Sequence, residues 1–142
     1  MRIVLIAALT MAAVVARADV APPPPDPSEG TWYGSMRQVD LASEASYPMT
    51  LMLNGDRGTT DYPSLNCGGE LERVGAASGG YVVYKETITR GAFDKATGKG
   101  CVDGVVTLYA KADGLFLGWF GVFDGQPMLA SARLARGQFN SN

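Results

Sequence analysis

Residues 101–134 read CVDGVVTLYAKADGLFLGWFGVFDGQPMLASARL, and this stretch decides the fold class. It contains three runs rich in β-branched and aromatic residues, at 101–110, 115–123 and 128–134, separated by two turns that contain Asp-Gly. Short runs bounded by Gly, Pro and Asp are typical of β-strands, and no window sustains the 3.6-residue apolar period of a helix. The stretch therefore predicts three consecutive strands.

The same pattern continues toward the N-terminus. Five further strands are predicted, at 31–39, 47–54, 59–62, 70–76 and 81–90. In the second of them, one face carries only apolar or aromatic residues: Tyr47, Met49, Leu51 and Leu53. The connections are mostly short, so strands that are neighbours in sequence should pair as antiparallel neighbours in space.

These predictions define one all-β domain over residues 30–136, a small antiparallel meander of about eight strands. Such a meander hides its edges by closing, or nearly closing, into a barrel, or by splitting into a two-sheet sandwich. Glycines inside the predicted strands favour the strong curvature of a barrel: Gly34, Gly104, Gly118 and Gly121. We predict the barrel, with the sandwich as the alternative.

The two ends of the chain differ in composition from this domain. Residues 1–18 have a basic start, an apolar run and a small-x-small site, which predicts a signal peptide cleaved after Ala18. Residues 19–29 form a proline-rich arm, whose consecutive prolines favour an extended conformation. Residues 137–142 are a C-terminal tail. We expect a secreted or periplasmic protein.

The charge of the exported chain limits its partners. Cleavage removes Arg2 and Arg17, which leaves 10 of the 12 basic residues against 14 acidic ones, a net charge near −4. Such a surface repels phosphate backbones, so we expect no nucleic-acid partner. The apolar run of the signal is shorter than the roughly 20 residues of a spanning helix, so we expect no stable membrane insertion of the mature chain.

Cys67 and Cys101 are the two cysteines of the chain. An exported protein meets an oxidising compartment, where two such cysteines form a disulfide by default. A reactive thiol pair is the alternative, but the C-x-x-C spacing that favours it is missing. We predict one disulfide, with Cα atoms roughly 4.4–6.8 Å apart.

Four motifs resemble those of a known family. They are GTWYG at 30–34, YPSLNCGGEL at 62–71, YKETI at 84–88 and CVDG at 101–104. Together they resemble a small bacterial extracellular β-domain with a Tyr-Pro-Ser-Leu-x-Cys-Gly-Gly motif, found alone or on membrane-anchored serine/threonine kinases. The family has no assigned activity, so the resemblance implies a fold and a bacterial, extracellular location rather than a function.

The opening Gly30-Thr31-Trp32 is also similar to the Gly-x-Trp start of lipocalins and of their relatives such as avidin. In that group the tryptophan of the first strand closes one end of a barrel. This second, shorter resemblance implies a barrel and no particular ligand.

No catalytic or metal-binding pattern stands out. The chain has no histidine, which removes the commonest general base and most zinc sites. The nearest acidic pairs, Glu70 with Glu72 and Asp56 with Asp61, lack the dense spacing of a calcium loop and are interpreted as solvated charges. We therefore expect no enzymatic activity, no metal and no cofactor.

Glu86 alternates in phase with Val82, Tyr84 and Ile88 on one face of its predicted strand. If that face lines the interior, the carboxylate must be paired or hydrogen-bonded, because an isolated buried charge costs several kcal/mol. It then either anchors a polar ligand inside the barrel or forms a structural ion pair; the remaining alternative is that this face of the strand is exposed to solvent. The candidate partners are three arginines: Arg73, Arg90 and Arg133.

Large aromatic residues form the remaining candidate binding sites. Trp32, Tyr62 and Trp119 either fill a small barrel or line a ligand cavity. The strand at 115–123 is apolar on both faces, so placing Trp119 inside turns Phe116 and Phe120 outward. A soluble monomer seldom leaves such a patch bare, so the proline-rich arm, the tail or a second protein should cover it.

Three functional hypotheses follow. The first is an exported, non-catalytic interaction module that engages a protein or a cell-envelope component through its aromatic strand and loops. The alternative is a lipocalin-like carrier of a small ligand, for which a cavity of ~300 Å³ or more beside Glu86 would be needed. The least favoured is an enzyme built on paired carboxylates.

Overall fold

The computed structural model describes residues 28–39 and 44–137. This part of the chain forms eight strands: β1 (Gly30–Val39), β2 (Glu44–Asn54), β3 (Arg57–Tyr62), β4 (Cys67–Ala77), β5 (Tyr81–Arg90), β6 (Gly104–Lys111), β7 (Gly114–Phe123) and β8 (Gln126–Arg136). Two single 3-10 turns, Pro63–Leu65 and Ser78–Gly80, interrupt them. The predicted signal peptide, most of the proline-rich arm and nearly all of the tail lie outside the described residues.

The eight strands form one closed antiparallel barrel. Each strand pairs with the next, and β8 pairs back with β1. Gly34 of β1, for example, is opposite Met49 of β2 on one side and Leu134 of β8 on the other. The prediction of an all-β barrel is therefore confirmed, and the two-sheet sandwich is not what forms. Closure satisfies the backbone groups that an open sheet would leave at its edges.

Alternation along each strand puts one set of side chains into the barrel. The predicted inner face of β2 is confirmed, with Met49, Leu51 and Leu53 buried and Tyr47 packed against the core. Other strands add apolar and aromatic residues that are almost fully buried: Met36, Leu71, Tyr84, Val106, Leu108, Leu115, Leu117 and Leu134. The interior is thus filled by side chains from every strand, which stabilises the closed form.

The turn between β7 and β8 is tighter than predicted. Asp124 and Gly125 both have positive φ, 49° and 75°, as a two-residue type I′ hairpin requires. The strand β8 therefore begins at Gln126 and includes Pro127. Proline is tolerated there because the pairing of β8 with β1 starts only at Leu129, so the missing N–H leaves no gap in that ladder.

The disulfide between Cys67 and Cys101 is present, and its Cα atoms are 6.1 Å apart, within the predicted range. Cys67 is fully buried at the start of β4. Cys101 was predicted to begin a strand, but it forms an isolated bridge with Ala92, and β6 starts at Gly104. The bond fixes the loop after β5 to the beginning of β4.

Candidate functional site

Three of the six predicted site residues meet inside the barrel. The Tyr62 hydroxyl donates to Glu86 Oε1 over 2.9 Å, and Trp119 Nε1 donates to Glu86 Oε2 over 2.7 Å. Thr60 Oγ1, which the sequence did not single out, also donates to Glu86 Oε1. Glu86 is 1% exposed, so both carboxylate oxygens are bonded to protein in the core. We call these four residues the Glu86 cluster.

The expectation of an arginine partner for Glu86 is wrong. Arg73 lies 3.5 Å from Asp56, Arg90 pairs with Asp61, and Arg133 pairs with Asp113. All three ion pairs lie at the surface, since each contains side chains that are about a third or more exposed. Neutral donors from β3 and β7 satisfy the carboxylate instead.

Burial dominates the electrostatics of the Glu86 cluster. Desolvation raises the pKa of Glu86, while hydrogen bonds from Thr60, Tyr62 and Trp119 lower it in part. Desolvation, with the nearby Glu86 carboxylate, also raises the pKa of Tyr62. The same two causes raise the pKa of Tyr47 to about 12. Both phenols therefore stay protonated and act as donors, and Tyr47 donates to Gln38 Oε1 over 2.8 Å.

Two glycines make room for the indole of Trp119. A Cβ at Gly121 would lie 2.3 Å from Trp119 Cη2, and one at Gly104 would lie 2.4 Å from Nε1. The ring therefore lies flat against the inner wall, with its N–H held toward Glu86. These glycines were predicted to mark strong curvature, and in the structure they let the Trp119 ring approach the backbone closely. Gly121 lies two residues after Trp119, on the same face of the strand, and this spacing is the sequence signal that could have predicted the packing.

Trp32 lies apart from the Glu86 cluster, at the start of β1. It is buried, and its Nε1 donates to the carbonyl oxygen of Ser28 over 2.6 Å. The Arg136 guanidinium carbon lies 4.5 Å from the centre of its ring. Ser28, two residues before β1, is itself buried. Trp32 also lines a groove of about 570 Å³ together with Lys111 and Arg136.

Phe116 and Phe120 point outward, as predicted. The Phe120 side chain is 45% exposed. Phe116 is half-buried, with Lys111 Nζ 5.1 Å and Arg133 Cζ 5.5 Å from its ring centre. On the same face, the Tyr109 ring opposite Phe116 stacks on Tyr81 with centroids 4.9 Å apart.

Phe120 belongs to a line of exposed apolar side chains that crosses four neighbouring strands. Val105 of β6 is opposite Phe120, Phe120 is opposite Leu129 of β8, and Leu129 is opposite Val39 of β1. Their exposed fractions range from 39% to 59%. We call these four residues the apolar row. It was not visible in the sequence, because its members are far apart along the chain.

Several grooves open on the outside of the barrel. One of them, about 740 Å³, runs along β1 to β4 and includes Thr31, Met52 and Glu70. A groove of about 420 Å³ lies beside the apolar row, where Phe93 packs against Phe123 with ring centroids 4.3 Å apart. Glu86 lines neither of them.

Residues 28–39 and 44–137 contain neither a metal-type side-chain cluster nor a helix of membrane-spanning length. Within these ranges, no three His, Cys, Asp or Glu side chains are grouped so that they could hold a metal ion. None of the helices described there is long and apolar enough to span a bilayer.

Comparison of the chain with models of known protein families, with curated proteins and with solved structures gives no match. The resemblances to the bacterial extracellular β-domain and to the lipocalins therefore stay predictions from the sequence.

Proposed function

We propose that this chain is an exported, non-catalytic interaction module that engages a protein or a cell-envelope component through the outer wall of β6, β7, β8 and β1. The apolar row is the observation that carries this proposal. Four large apolar side chains, aligned by strand register and each more than one-third exposed, form a contiguous patch. Contiguous apolar patches on soluble proteins mark interaction sites more often than scattered apolar residues do.

The way in which the barrel closes determines how a partner can bind. Since β8 pairs with β1, the described strands leave no free edge to which an extended peptide could add as a further strand. Closure therefore favours recognition through side chains that project from the wall over recognition by strand addition. Phe120 at the centre of the patch, with Leu129 beside it, offers such an anchor.

The interior gives less support to the carrier alternative. A ligand anchor needs a polar group with free bonding capacity that faces a cavity. Glu86, the candidate anchor, already accepts hydrogen bonds at both oxygens and is almost fully buried. The same saturation argues against Glu86 as a catalytic acid or base, because no substrate atom can approach it.

Export is part of the proposal and has its own test. The joined Cys67 and Cys101 support folding in an oxidising compartment. We predict that N-terminal sequencing of the protein recovered outside the cytoplasm starts at Asp19, directly after Ala18. A product that retains Met1 would contradict this part of the proposal.

Site-specific photo-cross-linking tests the interaction surface. A photoreactive phenylalanine analogue placed at Phe120 should cross-link to a partner when the protein is incubated with cell-envelope fractions. Met52 is the matched control position, because it points outward from β2 and is 50% exposed, against 45% for Phe120. Excess wild-type protein should compete for the adduct, whereas protein with Phe120→Ser and Leu129→Ser should not. Equal cross-linking at both positions, or none at Phe120, would contradict the proposal.

A further inference from the structure

A groove beside the start of β1 is lined by two cations that lie over aromatic rings. We call it the Trp32 groove; its volume is about 570 Å³, and Trp32, Lys111 and Arg136 are part of its lining. The Arg136 guanidinium carbon lies 4.5 Å from the centre of the Trp32 ring. Lys111 Nζ lies 5.5 Å from the ring centre of Tyr109 and 5.1 Å from that of Phe116. These ring contacts hold both cations at the groove.

The charges around the Trp32 groove do not balance. Asp113, in the turn between β6 and β7, is the carboxylate that lines the groove, and its side chain pairs with Arg133. Within the described part of the chain, Lys111 makes no ion pair. Lys111, Arg133 and Arg136 therefore exceed Asp113 by two positive charges. The whole chain has 14 acidic and 12 basic residues, so this local excess is opposite in sign to the net charge.

The rest of the lining is small and apolar. It consists of Ala110, Ala112, Gly114 and Ala135, none of which has a side chain larger than a methyl group. Sites for small molecules combine such apolar surface with a few charged or polar groups that fix the orientation of the ligand, and they commonly have volumes of roughly 300–1,000 Å³. The Trp32 groove has both the volume and this division between apolar and charged lining.

We propose that the Trp32 groove binds a phosphate monoester, with the phosphate group held by Lys111 and Arg136 and an apolar body resting on the alanine side chains. A phosphate monoester carries a charge of roughly −1.5 to −2 at pH 7, which matches the local excess of positive charge. A guanidinium fixed against an indole ring offers its N–H groups in pairs to phosphate oxygens, and the lysine adds a point charge. This inference goes beyond the proposed function and concerns a surface other than the apolar row.

The two tryptophans of the chain provide the measurement, because their indole N–H signals in a nitrogen-15 NMR spectrum report on different places. Trp32 lines the groove, whereas Trp119 donates to Glu86 inside the barrel. Adding phenyl phosphate to the purified exported protein should shift the Trp32 signal to saturation, with a Kd of about 1 mM or tighter, and leave the Trp119 signal in place.

Two related probes test the charge and the apolar body separately. Phenyl sulfate has nearly the same shape as phenyl phosphate but only one negative charge, so it should bind at least about fivefold more weakly. Inorganic phosphate has the charge without the phenyl ring, and it should also bind more weakly. Equal affinity for phenyl phosphate and phenyl sulfate would overturn the inference, because the excess of two positive charges would then not select the ligand.

Substitutions at the two cations test the assignment to this groove. Lys111→Gln and Arg136→Gln should each weaken the binding of phenyl phosphate by roughly tenfold, since each removes a charged hydrogen-bond donor. Arg136→Lys keeps the charge but loses the planar fork, so it should recover only part of the affinity. Lys85→Gln on β5 and Arg57→Gln on β3 are the matched controls, because they remove the same charges at exposed positions outside the groove. Thermal melts check that every variant is folded.

An unmoved Trp32 signal at about 20 mM phenyl phosphate would overturn the inference, including the case in which the proline-rich arm or the tail fills the groove. Variants at Lys111 and Arg136 that bind like wild type would overturn it as well. Replacing Phe120 and Leu129 with Ser should leave phosphate binding unchanged. A failure of the apolar row as an interaction surface is therefore distinguishable from a failure of the Trp32 groove.

Vesicles distinguish a lipid headgroup from a soluble phosphate monoester. Co-sedimentation with phosphatidylcholine vesicles that contain phosphatidic acid, lost in the Lys111→Gln variant, would identify a lipid headgroup as the ligand. Binding of phenyl phosphate without co-sedimentation would identify a soluble ester. Either result supports the inference, whereas the absence of both would refute it.

Discussion

Replacing Glu86 with Ala removes the carboxylate that three buried donors share. The Thr60 hydroxyl can rotate toward another acceptor. The Tyr62 and Trp119 rings are held in place by packing, so their donors lose the acceptor that Glu86 provides. Each buried donor left unsatisfied costs about 1–3 kcal/mol, so two of them amount to about 2–6 kcal/mol before any loss of packing. For a domain of this size the melting temperature should fall by roughly 10–20 °C.

The amide variant separates the hydrogen bonds from the packing. Glu86→Gln keeps the size of the side chain and one acceptor oxygen, but its NH₂ group then meets either the Trp119 N–H or the two hydroxyl groups. We expect an intermediate loss of about 1–3 kcal/mol, measured by urea unfolding followed through tryptophan fluorescence. Glu70→Gln, at an exposed position of β4, is the control and should change stability by less than about 0.5 kcal/mol.

The pH dependence follows from the raised pKa of Glu86. Burial raises this pKa in the folded state above the ordinary value of 4.5, so the native protein holds the proton more tightly than the unfolded chain does. The stability that Glu86 contributes is therefore full below pH 4.5 and is lost as the pH rises through the folded pKa. The Gln variant should lack this decline. If Glu86→Ala and Glu86→Gln each cost less than about 0.5 kcal/mol, the hydrogen bonds of the Glu86 cluster do not stabilise the fold as proposed.

Three further predictions concern the wall, the disulfide and the packing of the barrel. Phe120→Ser should cost about 0.5 kcal/mol or less. Phe116→Ser should cost up to about 1 kcal/mol, because Lys111 and Arg133 lie over the Phe116 ring. A larger loss of stability in a thermal melt would mean that these rings belong to the core. Replacing Cys67 and Cys101 with Ser should lower the free energy of unfolding by about 3–4 kcal/mol, measured by urea titration. An unchanged urea midpoint would mean that the disulfide does not stabilise the fold by restricting the unfolded chain. Gly121→Ala should cost about 1–3 kcal/mol, since its methyl group would overlap an indole ring, and near-ultraviolet circular dichroism should show that ring displaced.

Much of the fold could be predicted because the deciding signals are local. Alternation with a period of two assigns each side chain to the inside or the outside from its nearest neighbours alone. It correctly placed Met49 and Leu51 inside and Phe120 outside, and it put Glu86 in phase with Tyr84, although it left open which way that face points. Short turns between the runs then required antiparallel neighbours. The disulfide was predictable for another reason, since the chain offers only one pair of cysteines.

The partner of Glu86 could not be predicted from the same signals. Its donors are 24 to 33 residues away in sequence and come from β3 and β7, neither of which is adjacent to β5 in the sheet. Which side chains meet across the barrel depends on how the strands are staggered when the sheet closes. A search for opposite charge therefore selected arginines, whereas closure brought a threonine, a tyrosine and a tryptophan to the carboxylate.

The sequence by itself determined that this chain folds into antiparallel strands, which residues of each strand turn inward, and that its two cysteines can pair, because these properties depend on period, turn chemistry and composition. Only the tertiary structure decided that the sheet closes with β8 against β1 and that Val39, Val105, Phe120 and Leu129 stand in one line. The physical reason is that register is set jointly by all the strands of a closed sheet. A residue's neighbours across the wall are therefore not encoded in the segment that contains it.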